Sequence, residues 1–181
     1  GNGSISFNQD QSFGSFSQSN GVLGGTGTMT VTSSFSWTGG SMRDAGKTLI
    51  AAGATATISG GSNKDLSINR ILENAGTLTA SGGTVFFNLN NFGGGAVINN
   101  LAGGTFEAQG ETDFSHNFGT VSALNNAGLF RKTGGGTTAF SNSLVAFNNS
   151  GTVEIVSGTL QLNSGGTLSG TGTVGGLTNS G

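Results

Sequence analysis

One short phrase returns along this chain and constrains it more than any other feature. Leu72–Leu78 (LENAGTL), Leu124–Phe130 (LNNAGLF) and Phe147–Val153 (FNNSGTV) share one pattern: apolar, polar, Asn, small, Gly, variable, apolar. A looser copy with two extra residues, Ile98–Phe106 (INNLAGGTF), lies between the first two, and a fifth copy opens at Leu177 (LTNSG). The leading apolar residues stand at 72, 98, 124, 147 and 177, so the steps are 26, 26, 23 and 30 residues. A period in the twenties with slack between fixed anchors predicts a solenoid, each turn stacked on the last and joined by loops of variable length.

The phrase has a direct physical reading. An apolar residue closes one strand, Asn and Gly turn the chain, and an apolar residue opens the next strand; Gly and Asn are the residues that tolerate positive φ in turns. An Asn side chain both donates and accepts. Asn74, Asn100, Asn126, Asn149 and Asn179 share a phase, so stacking predicts a ladder of amide hydrogen bonds running along the solenoid. Five independent turn asparagines are the plainer alternative.

Composition agrees with this and removes several function classes. The 181 residues suit one domain. Gly numbers 36, Pro and Cys are absent, and charged residues are 8%, where about 25% is usual. Such Gly content also occurs in disordered chains, but those bring Pro and charge, and here 33% of residues are hydrophobic and recur in phase. Without Pro, strands are free to donate backbone hydrogen bonds on both sides. Without Cys there are no disulfides and no thiolate metal sites. A net charge of -2 built from few charges offers no basic stripe for nucleic acid. No apolar run is long enough for a membrane helix, and no leader is visible at Gly1.

Residues 1–20 read as a separate N-terminal strand segment and 21–181 as the solenoid repeats. In the first segment Ile5, Phe7, Phe13 and Phe16 alternate with polar residues, as in a half-buried strand. That segment fits a first coil, a cap, or a strand pairing with another molecule. From Val22, alternating and β-branched runs at 26–32, 34–38, 48–50 and 54–59 predict strands, and Gly39-Gly40 and Gly60–Asn63 predict turns. Leu168–Val174 (LSGTGTV) echoes Leu23–Met29 (LGGTGTM), so one kind of unit covers nearly the whole chain. No stretch shows a helical period. Short strands that cannot bury a core singly enclose one when wound into parallel coils about 4.8 Å apart. The expected fold is all-β: a right-handed parallel β-helix of roughly seven coils of 23–30 residues. Leu78, Phe106, Phe130 and Val153 form one inward column, and Val85 or Phe86, Phe114 and Phe140 another. An antiparallel sandwich also has short turn spacing, but it gives no reason for the phrase to return once per two or three strands.

The phrases N-x-G-T-φ, G-G-T-φ and S-G-T-L-x-L, with L-S-G-T-G-T-V, resemble the repeats of large secreted bacterial β-helix proteins, the autotransporter passengers and filamentous-haemagglutinin-like adhesins. The resemblance covers residues 22–181 and rests on degenerate motifs. It implies a right-handed β-helix outside the cell or on its surface, acting as a stalk, adhesin or matrix component. Translocator, secretion domain and sorting signal are not present in these residues.

The densest polar cluster is Phe106–Asn117, with Glu107, Glu111, Asp113 and His116. Paired carboxylates suit acid/base cleavage of a glycan, and oxygen ligands suit Ca²⁺, which makes Glu111 and Asp113 the candidate cation ligands. Flanking an expected turn, they also read as solvated turn residues, and no neighbouring coil adds carboxylates. One histidine cannot build a His-rich metal site. The position after the inward column reads Thr79, Glu107, Arg131, Glu154, which stacks Arg131 between two glutamates as a charge ladder. Lys132 falls at an inward position and is expected to snorkel outward from a strand end. Trp37 shares a face with Phe35 and is expected in the core. Thr26, Thr28, Thr30 and Thr32, with Thr55 and Thr57, form rows like those of ice-binding solenoids, but Leu129 interrupts the alignment. No cofactor is expected. The expected role is a structural or adhesive segment of a bacterial extracellular or cell-surface protein. Its partners are further repeats of a larger chain, glycans or a host or cell surface, or other copies joined end to end through Ile5, Phe7, Phe13 and Phe16. The alternative is a carbohydrate-binding or carbohydrate-cleaving β-helix.

Overall fold

The computed structural model describes residues 3–89, 93–141 and 143–162, and the backbone of 177–179, and among these there are strands and turns but no helix. The first coil holds β1 (Ser4–Ser6) and β2 (Gln11–Gln18), and the second β3 (Val22–Gly24) and β4 (Thr28–Trp37). Next come β5 (Gly40–Met42), β6 (Lys47–Ile50) and β7 (Thr55–Ser59), then β8 (Lys64–Leu66), β9 (Ile71–Asn74) and β10 (Thr77–Phe87). They are followed by β11 (Val97–Asn100), β12 (Thr105–His116), β13 (Ser122–Asn126) and β14 (Leu129–Thr133). The chain continues through β15 (Thr137–Phe140), β16 (Val145–Asn149), β17 (Thr152–Ile155), β18 (Thr159–Leu162) and β19 (Leu177–Asn179).

Among the described residues every pairing is parallel, and the pairings sort the strands into three faces of a parallel β-helix. The first face stacks β1, β3, β5, β8, the ends of β10 and β12, then β15, β18 and β19. The second stacks the starts of β2 and β4 with β6, β9, β11, β13 and β16. The third stacks the ends of β2 and β4 with β7, the starts of β10 and β12, then β14 and β17, six steps in all. The long strands β2, β4, β10 and β12 therefore each serve two faces. Register shifts occur inside β2 and at Ser81/Gly83 in β10, the sites where one extra residue bends a strand round a corner.

The interior is one continuous apolar column system. Phe16, Phe35, Ala56, Leu78, Phe106, Phe130 and Val153 stand in register up the third face, and Val85, Phe114, Phe140 and Leu162 up the first. Val85, not Phe86, points inward, because the register shift at Ser81/Gly83 moves the side-chain alternation. The rings of Phe106 and Phe130 stack at 5.3 Å, those of Phe114 and Phe140 at 4.8 Å, and Phe147 meets Phe130 edge-on at 5.0 Å. Trp37 and Phe35 are both buried in this core. Truncating Phe130 to alanine leaves a void between three rings, and is expected to cost about 3 kcal/mol or more. Urea melts of Phe130→Ala beside wild type measure it, and a loss below about 1 kcal/mol is incompatible with this packing.

Two sequence expectations are corrected by the topology. Residues 4–18 are the first coil, with Ile5 opposite Leu23 and Phe13 opposite Val31, so the coils begin at Ser4 rather than Val22. Phe7, Phe13 and Phe16 are partly buried against the core, while Ile5 remains 46% exposed. The polar–apolar alternation that set this segment apart is the ordinary alternation of a coil, on a shorter step of 19 residues between Ser15 and Ser34. The second correction concerns Asn179. β19 pairs with β18 and places Asn179 opposite Leu162 on the first face, whereas Asn149 lies on the second. An apolar–Asn–Gly phrase closes any strand that ends in a turn, so the phrase alone does not say which face it closes.

Candidate functional site

The polar residues of this solenoid are organised as ladders and corner fillings, and these are the sites the structure offers. In the inner column of the second face, Phe13, Val31 and Ile50 give way to Asn74, Asn100, Asn126 and Asn149. Asn74 Nδ2 donates to Asn100 Oδ1 at 2.8 Å, Asn100 Nδ2 to Asn126 Oδ1 at 2.7 Å, and Asn126 Nδ2 to Asn149 Oδ1 at 2.6 Å. Each amide also serves the corner it occupies: Asn74 Oδ1 accepts from Gly76 N–H, and Nδ2 of Asn74, Asn100 and Asn126 donates to the carbonyls of Thr105, Leu129 and Thr152 in the next coil. These asparagines are almost fully buried. In such surroundings an amide must have its partners, and the neighbouring coil provides them. Asn179 lies outside this ladder by register, and its side chain lies outside the described residues.

A second ladder runs on the outside of the same face. Asn148 Nδ2 donates to Asn125 Oδ1 and Asn125 Nδ2 to Asn99 Oδ1, both at 2.9 Å, and Asn99 Nδ2 reaches Glu73 Oε1 at 3.4 Å. Lys47 closes it with an ion pair to Glu73 Oε2 at 2.9 Å. Its polarity opposes that of the inner ladder. An ionised carboxylate only accepts, so Glu73 turns each amide nitrogen above it downward. The paired Asn-Asn at 99–100, 125–126 and 148–149 carries both ladders in the sequence, one residue facing in and the next out.

The charge ladder forms in register, with Glu107 opposite Arg131 and Arg131 opposite Glu154. Only one ion pair closes: Arg131 Nε to Glu154 Oε2 at 2.7 Å. Glu107 Oε1 instead accepts from Gln109 Nε2 at 2.7 Å and Thr133 Oγ1 at 2.9 Å. These hydrogen bonds, with Arg131 adding its charge, hold the Glu107 carboxyl below its ordinary range. Arg131 thus stands between the two glutamates in register and closes its ion pair with Glu154, because nearer hydroxyl and amide donors satisfy Glu107.

Glu111 and Asp113 do not flank a turn. Both lie within β12, just past Gly110, whose φ of 62° marks the corner between two faces. Glu111 is exposed. Burial pushes the Asp113 carboxyl up, the Ala139 N–H opposes this, and the Glu111 charge adds to the rise. Among the described residues no three His, Cys, Asp or Glu side chains converge as a metal site. His116 is buried, its Nε2 2.9 Å from the carbonyl oxygen of Thr120.

Sequence reading missed the ionisable groups inside the corners. Asp65 is buried, its Oδ2 accepting from Ser67 Oγ at 3.1 Å and its Oδ1 from Leu89 N–H at 2.9 Å. Arg70 is buried with Nη2 donating to Thr48 Oγ1 at 2.8 Å, and burial lowers its pKa to about 10 against the opposing charge of Asp44. Lys132 is buried too: it does not snorkel outward but turns Nζ to the carbonyls of Thr133 and Gly134, with small Ala108 beside it in register. Two of its three N–H donors are taken by turn carbonyls, which holds the ammonium inside the corner. The only signal for such groups was a charged residue at inward parity, as at Lys132.

Burial raises the Asp65 carboxyl, against hydrogen bonds from Leu89, Ser67 and Ser41 and the charge of Arg43. A raised folded value means the native state holds this proton more tightly than the unfolded chain. Its contribution is therefore fully present below the ordinary carboxylate range and is lost as pH rises through the raised value. The expected result is that the melting temperature of wild type, minus that of Asp65→Asn, falls between pH 3 and pH 7. A difference that grows with pH would contradict the assignment.

No helix among the described residues is long and apolar enough to cross a membrane. Comparison with family models, with curated proteins and with solved structures yields no match.

Proposed function

We propose that this chain is a structural or adhesive segment of a bacterial extracellular or cell-surface protein, a rod of the autotransporter-passenger or filamentous-haemagglutinin-like kind. The observation that carries this reading is the use made of the polar side chains. The amides of Asn74, Asn100, Asn126, Asn149, Asn99, Asn125 and Asn148 are bonded from coil to coil, and the buried cations are bonded to turn carbonyls and a threonine hydroxyl. Polar groups committed to their own neighbours fix register and stiffness. A catalytic site needs groups aimed together at a substrate.

In this reading the rod is extended by further coils stacking on the edge of β1 and β2 that no strand among the described residues pairs with, where Phe7, Phe13 and Phe16 cluster with ring centres 5.3–6.4 Å apart. Those coils belong to the same longer chain or to a second copy, added by main-chain pairing with alternate side chains setting register. Deleting residues 1–20 and comparing both proteins by light scattering and electron microscopy tests the second case. Filaments or concentration-dependent growth in the full chain, reduced by the deletion, support it; a full chain that stays monomeric at high concentration removes it. A glycan-binding panel with a reducing-sugar assay tests the rod reading itself, which expects no sugar release.

A further inference from the structure

Two of the chain's six Lys and Arg residues are lysines at fully buried positions, and both occupy the corner between the third and first faces. Lys64, at the start of β8, folds back into the turn before it: Nζ donates to the carbonyls of Gly60 and Ser62 at 2.9 Å and of Ser59 at 3.1 Å. Lys132, in β14, folds forward into the turn after it and donates to Thr133 and Gly134 at 2.9 and 3.2 Å. The two approach the corner from opposite strands and end in the same kind of place. Among the described residues neither has a carboxylate partner, the ion pairs being Lys47–Glu73 and Arg131–Glu154.

The coil above each ammonium leaves room for it. A Cβ added at Gly83 would lie 3.0 Å from Lys64 Nζ, and one at Gly158 would lie 2.9 Å from Lys132 Nζ. Three carbonyl oxygens converging on one point are an arrangement that binds a hard cation, and an ammonium is a compact point charge with three donors. In the two coils between those corners, Thr112 Oγ1 plays the corresponding part with a neutral group, lying 3.3 Å from the carbonyl oxygen of Ala80 and accepting from Gly82 N–H at 2.9 Å.

We infer that the Ser59–Ser62 turn is a monovalent-cation site for which the protein supplies its own tethered cation, Lys64, and that Lys132 plays the same part at Thr133–Gly134. These corners hold their shape without ions from the medium, and removing the tether opens a cage that a free ammonium or alkylammonium ion fits. This goes beyond the rod reading and does not depend on it.

The experiment is chemical rescue of Lys64→Ala, which removes the chain and the charge together. Thermal melts are run in propylammonium, ammonium, sodium and choline chloride at equal ionic strength. Wild type is expected to melt at the same temperature in all four salts and in a chelator. Lys64→Ala is expected to melt lower in sodium and choline. Its midpoint should climb with the logarithm of propylammonium or ammonium concentration, as linkage to a native-state ligand requires. Lys64→Met, which keeps the apolar stem and lacks the charge, is the second variant: it should melt below wild type and respond to ammonium more than to choline. A Lys64→Met protein as stable as wild type, or a deficit in either variant that no ammonium salt relieves selectively, overturns the inference. If Lys64→Ala does not fold in any salt, the Lys64→Met melts decide alone.

Discussion

Gly128→Ala is expected to destabilise the protein by about 4–5 kcal/mol, near the upper limit for a single substitution. Gly128 follows the Asn126 corner, and a Cβ there would collide with the carbonyl oxygens of Gly104 and Leu101 and touch Asn100 Nδ2. The backbone approaches this closely because Leu129 N–H donates to Gly104 O at 2.9 Å and Thr152 N–H to Gly128 O at 2.9 Å. Gly76, Gly104 and Gly151 meet the carbonyl oxygen of the coil below in the same way. A methyl at 128 must separate two coils, and separation there lengthens main-chain and amide bonds together. Gly61, with open space around its missing Cβ, is the control: Gly61→Ala should change stability by less than about 0.5 kcal/mol. Equal effects at 61 and 128 in urea melts would show that the glycines act through chain flexibility and not through coil contact.

Asn126→Ala is expected to cost about 4 kcal/mol, since each buried group left without a partner costs about 1–3 kcal/mol. Asn126 accepts from Asn100 and donates to Asn149 Oδ1 and Thr152 O, so one truncation strips partners in two coils. Asn126→Leu fills the volume and should recover little of the loss, which separates the hydrogen bonds from packing. Asn125→Ala, in the half-exposed outer ladder, has water as a substitute partner and should cost about 1 kcal/mol. Equilibrium unfolding of the three variants provides the comparison, and a neutral Asn126→Ala would mean the ladder contributes nothing to stability.

Much of this molecule could be read from a single sequence because a solenoid writes its fold into a period. The Asn-Gly phrase, recurring at 26 and 23 residues, placed Asn74, Asn100, Asn126 and Asn149 in one column, and alternation placed Leu78, Phe106, Phe130 and Val153 in another. Both follow from local rules: a side-chain period of two in strands, and turn residues at fixed offsets. Parallel stacking then brings equal phases together.

What the period does not encode is which face a given strand joins and which neighbour a polar group prefers. Asn179 carries the right phrase yet stands opposite Leu162, on a different face from Asn149, because the same phrase can close a strand on any face. Arg131 lies opposite both Glu107 and Glu154 but pairs only with Glu154, because Gln109 and Thr133 bind Glu107. Lys64, Asp65 and Arg70 are buried where composition alone would expose them, since turn carbonyls, N–H groups and hydroxyls converge on them only after the corners close. Sequence determined the columns, which depend on neighbours along the chain and one period away. Tertiary structure decided the corners and the pairings, which depend on distances of a few ångströms between coils that no period specifies.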